Sequence, residues 1–410
     1  MSGTRTRNRW DEVFARRTKA NAADGLTSIL ALANKTDLIS FAGGFPDPST
    51  FPGAELVGHF ERLVADRDVS AFQYAPVAGL VGPRAFIADR LERDGTRPDE
   101  DELVITSGAI EALELLGKSL IDSGDLVLVE GPTYLGAVMA FQSFEATVRA
   151  VPLDDQGLDV DRLETAIAAH GRPKFLYTIP DHQNPAGITL ANDRRQRLVE
   201  IARHHGFLIV EDVAYRDLGF TEDRLPSLWS LGPDVVVQAG TFSKTFMPGV
   251  RLGWGAGPPE LVASMVWAKQ NTDQCATALG QRLLEEYGRA GGLDAQARRS
   301  RALYGRRCAL LMEALEAHMP DDVSWTRPRG GFFSWLELPN GIDGSAVARR
   351  AVDDGVAIVP GAPFFPGAGG EGNRAGGESN VRLSFSRVED DLIDEGIERL
   401  ASVIEHSRKG

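Results

Sequence analysis

Lys244 lies in TFSKTFMPGVRLGW, just past an apolar run and among small and hydroxylated neighbours. Burying an ammonium is costly. An amine condensed with an aldehyde escapes that cost, and its chemistry is then imine exchange and proton transfer. The plain alternative is a solvated loop lysine. Asp212 closes FLIVED, an apolar strand with no room for a free carboxylate. Such a group wants a cation, for which a protonated ring nitrogen would serve, unless it caps a helix. Tyr215 in EDVAY and Asn184 in the turn QNPAG can each hydrogen-bond a phenolate oxygen, although Asn-Pro is also ordinary turn chemistry. Arg382 stands between apolar neighbours in VRLSFS. It suits a planar anion, either a substrate α-carboxylate or an internal acid.

A second group of residues is suited to phosphate. Ser107-Gly108-Ala109 opens a helix directly after a strand, where free N–H groups gather anions. Thr241 and Ser243 add hydroxyls, and Arg251 adds a fork matched to phosphate oxygens. An aldehyde for Lys244, a ring nitrogen for Asp212, a ring oxygen for Asn184 and Tyr215 and a phosphate for the rest together point to pyridoxal 5'-phosphate.

These residues fall where apolar runs end. ELVIT (102–106), DLVLVE (125–130), FLYTIP (175–180), FLIVED (207–212) and VVVQAG (235–240) read as short buried strands, separated by helical segments such as 107–121. That rhythm predicts an α/β fold, a three-layer α/β/α domain around a mainly parallel sheet with ligands at the carboxyl ends of its strands. After residue 256 the pattern changes. A long helical stretch over 258–318 precedes SWTRPRGGFFSWLELP, a helix near 344–354, VAIVPG, VRLSFS and a final amphipathic helix over 388–407. This reads as a smaller α+β domain. The expected division is an N-terminal arm and substrate-closing segment (1–55), a cofactor-binding large domain (56–300) and a small domain (301–410). Within the last, GAGGEGNRAGGESN (367–380) reads as a flexible surface loop.

Bulk properties narrow the partners. The 410 residues are 43% hydrophobic and 25% charged, enough for large buried cores. A formal net charge of -14 argues against nucleic acid and anionic membranes. Two cysteines, Cys275 and Cys308, without a ligand cluster indicate neither a disulfide framework nor a metal. The polar, basic start lacks a secretory signal and no run is long enough to span a membrane, so the cytoplasm is the expected location.

In order along the chain, ISFAGGFPDPSTFP, FQYAPVAGLVGPR, ITSGAIEALELLGKSLIDSGDLVLVEGPTYLGA, PDHQNPAGITL, VEDVAY, TFSKTFMPGVRLGW, GGFFSWLELP and VRLSFS resemble the fold-type I pyridoxal-phosphate enzymes of the aspartate aminotransferase superfamily. The chain is most similar to the branch of class I/II aminotransferases that holds the 2-aminoadipate and kynurenine enzymes and the aminotransferase-like domains of some bacterial regulators. The resemblance spans about residues 38–405. It implies that Lys244 is the Schiff-base lysine and proton shuttle, that Asp212 pairs the ring nitrogen, and that Asn184 and Tyr215 contact the ring oxygen. It assigns the phosphate to Ser107, Gly108, Ala109, Thr241, Ser243 and Arg251, and ring stacking to Tyr134. Arg382, with Asn184, would take the substrate carboxylate, and Gly43 and Gly44 lie where the N-terminal segment closes over it. Tyr74 would reach the phosphate of a neighbouring subunit, since family sites lie at a homodimer interface.

The implied reaction is transfer of an amino group from an L-amino acid to a 2-oxo acid by ping-pong kinetics. Other outcomes at the same α-carbon, including elimination or replacement at the β- or γ-carbon, and a non-catalytic sensor role are the alternatives. The stretch before ISFAGG is expected to be too short for a regulator's DNA-binding winged helix. Departures from the family pattern are His182 before the Gln of the QNP turn, Ala186 after its Pro, and Thr241 three residues before the lysine. Rings at Phe45, Tyr74, Tyr134 and Phe333 would admit a bulky apolar side chain.

Overall fold

A computed structural model describes residues 10, 13–15, 17, 37–366 and 376–408. Most of the N-terminal arm and the stretch 367–375 of the glycine-rich loop lie outside the described residues.

The larger sheet has eight strands, in the order Leu103–Thr106, Gly253–Ala256, Val236–Thr241, Leu208–Asp212, Phe175–Thr178, Leu126–Gly131, Thr147–Asp154 and Gly157–Leu158. From Val236–Thr241 to Thr147–Asp154 the neighbours run parallel. Gly253–Ala256 is antiparallel to both of its neighbours, as is the short Gly157–Leu158 to its own. Apolar side chains alternate between two cores, as the period of a strand requires. Val127, Val129, Phe175, Tyr177, Val210 and Val237 join one core. Their neighbours Leu128, Leu176, Ile209 and Val236 join the other. Helix Ala109–Leu120 covers the first face with Leu113 and Leu116, and helix Asn192–His205 covers the second with Leu198 and Val199. The chain is therefore a three-layer α/β fold around a mainly parallel sheet.

A second sheet is antiparallel throughout, in the order Ser324–Trp325, Phe333–Glu337, Asn380–Ser384, Val359–Pro360. Helices Gly292–His318 and Ile393–Ser407 back it, burying Leu311, Leu315, Leu400 and Ile404 together. Before it, Ile39–Ser40 pairs in parallel with Val356–Ala357, and the chain then crosses toward the larger sheet.

Several elements differ from expectation. The stretch 258–318 is three helices, Pro259–Gln270, Ala278–Arg289 and Gly292–His318, broken at Gln274 (φ +67°) and Gly291 (φ +81°). The third runs through residue 300. The last helix starts at Ile393, and VAIVPG divides between two sheets. Strand Gly253–Ala256 has no apolar signature. It exists because Gly240 leaves room for the Trp254 ring and Gly253 lets the strands close on each other; a Cβ at either would collide.

Candidate active site

The carboxyl ends of the parallel strands open on a cavity of about 280 Å³. Asp212 ends its strand, Thr241 ends the next, and Ser243 and Lys244 follow in the turn. Tyr134 and Asn184 lie on the loops after Leu126–Gly131 and Phe175–Thr178. Of the residues singled out from sequence, Gly43, Gly44, Ala109, Tyr134, Asn184, Asp212, Tyr215, Thr241, Ser243, Lys244, Arg251 and Arg382 line this cavity. Ile110, Leu113, Leu135, Ile179, Ala214, Pro248 and Phe364 complete walls that the sequence did not reveal, and Phe45 and Phe333 join them as expected. Ser107 and Gly108 do not line it, nor does Tyr74, which is 82% exposed.

The ammonium of Lys244 donates to the Gly44 carbonyl at 2.9 Å and forms no ion pair among the described residues. Burial, then Arg382, pull its pKa down to about 8, against the attraction of Asp212. The Asp212 carboxylate accepts the Tyr177 hydroxyl at 2.8 Å on one oxygen and the Ala214 N–H at 3.0 Å on the other. Burial pushes it up to about 6, while Tyr177 works to lower it. The available signal for Tyr177 is a phenol hydroxyl inside the buried strand FLYT, where Thr178 carries the other hydroxyl.

Arg382 donates to Asn184 Oδ1 at 3.0 Å and to the Ala42 carbonyl at 2.7 Å. Its guanidinium lies between the rings of Phe333 and Phe364, 4.4 and 4.8 Å from their centroids, and its Nε has no partner among the described residues. Burial lowers its pKa to about 10, which leaves it charged at neutral pH. Asn184 also neighbours the Tyr215 hydroxyl.

The opposite end gathers two hydroxyls, a guanidinium and a helix N-terminus, an arrangement suited to an anion. Ser243 accepts Thr241 Oγ1 at 3.0 Å and Arg251 Nη1 at 3.2 Å. Arg251 Nη2 donates to the Ser107 carbonyl at 3.2 Å. Ala109 and Ile110 start a helix whose first N–H groups face no helical acceptor. The N–H of Ser107 goes instead to Glu111 and its hydroxyl to Asp273.

His182 is buried with φ +52°, 3.3 Å from Thr189 Oγ1 and packed on Gly219 and Gly330. It does not line the cavity. Burial, then Arg195 and Arg216, hold its pKa down at about 4, so it is neutral. No group of three or more His, Cys, Asp or Glu among the described residues could hold a metal, and no helix there is long and apolar enough to cross a membrane.

This arrangement fits pyridoxal phosphate. Asp212 is a buried carboxylate without an ion-pair partner among the described residues, as a ring N–H would require. Lys244 presents an amine of lowered pKa, and the cradle of hydroxyls, guanidinium and helix N-terminus suits a dianion.

Residues 54–400 match the family model of aminotransferase class I and II. A 2-aminoadipate transaminase of Thermus thermophilus is 37% identical over 96% of this chain and 97% of its own length. Aromatic-amino-acid aminotransferase 1 of Thermococcus litoralis is 36% identical over 98% of this chain and 96% of its own. Among solved structures, the α-aminoadipate aminotransferase of Thermus thermophilus, complexed with N-(5'-phosphopyridoxyl)-L-leucine, superposes with a TM-score of 0.88 at 36% identity, covering 98% of this chain and 99% of that one.

Proposed function

The chain belongs to the class I and II aminotransferases, enzymes that move amino groups with pyridoxal phosphate, and from that premise we propose that Lys244 is the residue that carries the cofactor and exchanges protons with the substrate. The carrying observation is the pair of buried ionisable groups, Lys244 and Asp212, without an ion-pair partner among the described residues, that face one cavity with an anion cradle. When bound, the cofactor supplies an aldehyde carbon for the amino group and a ring that takes up the electron pair left at the α-carbon.

The chain's own groups do the rest. Asp212, fixed by Tyr177 and Ala214, keeps a proton on the ring nitrogen. Arg382 pairs the α-carboxylate and so sets which bond of the α-carbon faces Lys244. The lowered pKa of Lys244 leaves part of the amine neutral near pH 7, free to take the α-proton and to return it elsewhere. Gly44, whose Cβ would stand 2.6 Å from Phe333, provides the carbonyl that holds Nζ when it is not otherwise engaged.

The reading extends to the donor. The cations of the cavity, among the described residues, are Lys244, Arg251 and Arg382, and each already has a task. None is left for a second carboxylate, whereas Phe45, Leu135, Phe333 and Phe364 are apolar. This supports an L-amino acid with an apolar side chain as donor. An aromatic-amino-acid relative and a relative solved with a leucine adduct support it too. The cavity draws residues from all three expected segments: Gly43–Phe45 from the arm, Phe333, Phe364 and Arg382 from 301–410, and the rest from 56–300. A homodimer completes the proposal. Val57, Phe60, Val64, Val69, Phe72 and Tyr74 are exposed apolar side chains, Phe60 and Phe72 in ring contact, and would suit a second copy, with Tyr74 reaching the partner's cradle.

Absorbance scans with amino acids added one at a time, with and without 2-oxoglutarate, test the assignment. An imine band that amino acids bleach and the oxo acid restores is expected, with apolar donors ahead of acidic ones. Lys244→Ala should lose this exchange and its turnover, and activity of wild-type size in that variant refutes the role.

A further inference from the structure

Lys269 lies behind the cavity on helix Pro259–Gln270 with its side chain wholly out of solvent. Its Nζ stands 2.9 and 2.7 Å from the carboxylate oxygens of Glu111, and 2.8 and 2.9 Å from those of Asp273. The same two carboxylates hold Ser107: Glu111 accepts its backbone N–H at 2.5 Å and Asp273 its hydroxyl at 3.0 Å. The Ser107 carbonyl then accepts Arg251. Gly108 (φ +92°) packs so closely that a Cβ there would lie 2.7 Å from Arg251 Nη2.

An unbroken chain of contacts therefore runs from Lys269 to the anion cradle. One ammonium against two carboxylates leaves the triad with an excess negative charge. That charge sits beside the turn assigned to a dianionic phosphate. Loss of Lys269 would leave the buried Glu111 and the partly exposed Asp273 as like charges to repel each other, the phosphate, or both. We propose that Lys269, through Glu111 and Asp273, is a positioning residue that fixes Ser107-Gly108-Ala109 and Arg251 and thereby sets the affinity for the phosphate arm of the cofactor. This rests on the reading of the cavity as a pyridoxal-phosphate site.

The test compares pyridoxal phosphate with pyridoxal, which lacks the phosphate, by absorbance titration of the full chain stripped of cofactor. Wild type should prefer the phosphorylated form. If it does not, the phosphate assignment itself falls and the role of Lys269 falls with it. Given that preference, Lys269→Met should weaken pyridoxal phosphate by about tenfold or more and pyridoxal by less than about twofold. Adding Glu111→Gln should restore part of the loss, because its amide oxygen still accepts the Ser107 N–H while one charge is gone. Asp273→Asn covers the case in which Lys269→Met does not fold, since Asp273 is partly exposed and the amide oxygen keeps an acceptor for the Ser107 hydroxyl. It should tighten pyridoxal phosphate about two- to fivefold and leave pyridoxal unchanged. Equal effects on both ligands, or none on the phosphorylated one, overturn the proposal.

Discussion

Arg382 is a buried guanidinium held by a carbonyl, an amide oxygen and two ring faces, with no carboxylate among the described residues. Its charge is thus kept available for an incoming anion. Lysine would keep the charge and lose the fork. Arg382→Lys should raise KM for the amino acid by about 10- to 100-fold with a smaller change in kcat, and an unchanged KM in steady-state kinetics contradicts the role. Tyr177 is a second case. Its hydroxyl lowers the pKa of Asp212 against burial, so Tyr177→Phe should move the acid limb of the kcat/KM profile about one unit to higher pH. A profile that stays in place shows that Tyr177 only fills space. At this scale the sequence exposes the groups proposed to react but not those that hold them. Lys244, Asp212 and Arg382 stand out because a charge in an apolar run is chemically conspicuous. Phe364, Leu135 and Lys269 reach the site by packing, and nothing in their local sequence marks them.

The turn that bears Asn184 is braced from behind. Arg195, wholly buried, donates to the carbonyls of Pro180, Leu190 and Pro226 and pairs with Asp181 at 2.6 Å. Arg216 pairs with the other oxygen of Asp181 at 2.8 Å. From the front, Gln183 bridges Glu130 and the Pro132 carbonyl, tying this turn to the loop of Tyr134. Arg195→Met should cost about 3 kcal/mol in urea unfolding without changing the m-value, and a loss below about 1 kcal/mol contradicts the brace. His182 belongs to this turn rather than to the chemistry. His182→Asn, which tolerates a positive φ, should leave the pH–rate profile in place. The parallel strands were legible because buried strands are continuous apolar runs. Gly253–Ala256 was not, since its pairing depends on the absence of side chains. The breaks between helices after residue 258 were missed because the apolar spacing continues across them.

For the whole molecule, buried carboxylates set opposing pH windows. Burial raises Asp212 to about 6 and Glu130 to about 7. Groups raised in the folded state contribute full stability below their unfolded value, near pH 4, and lose it as pH rises through 6 and 7. Asp217 runs the other way. Arg90 and Arg224 overcome its burial and hold it at about 2, so its contribution is present above pH 4 and lost as pH falls toward 2. The cofactor-free chain should therefore become less stable from pH 5 to pH 8. A cation bound at Asp212 offsets part of that loss, so the rise in Tm on adding pyridoxal phosphate should grow over the same range. Thermal unfolding with and without cofactor at the two pH values checks this, and a constant or shrinking rise contradicts it.

The strand at Ile39–Ser40 has a consequence for synthesis. Phe41 passes its carbonyl to the N–H of Ser384, and Ala42 passes its own to Arg382. The wall that Gly43 and Gly44 supply is thus secured by residues translated more than 300 positions later. A ribosome-bound chain holds Lys244, Asp212 and the phosphate turn long before it holds that wall. At that stage the groups proposed to hold the cofactor are in hand, and what is missing is the wall on the side proposed to take the substrate. Closure of the substrate side waits for the finished polypeptide, and a message cut short of Arg382 would yield a product without the proposed carboxylate site.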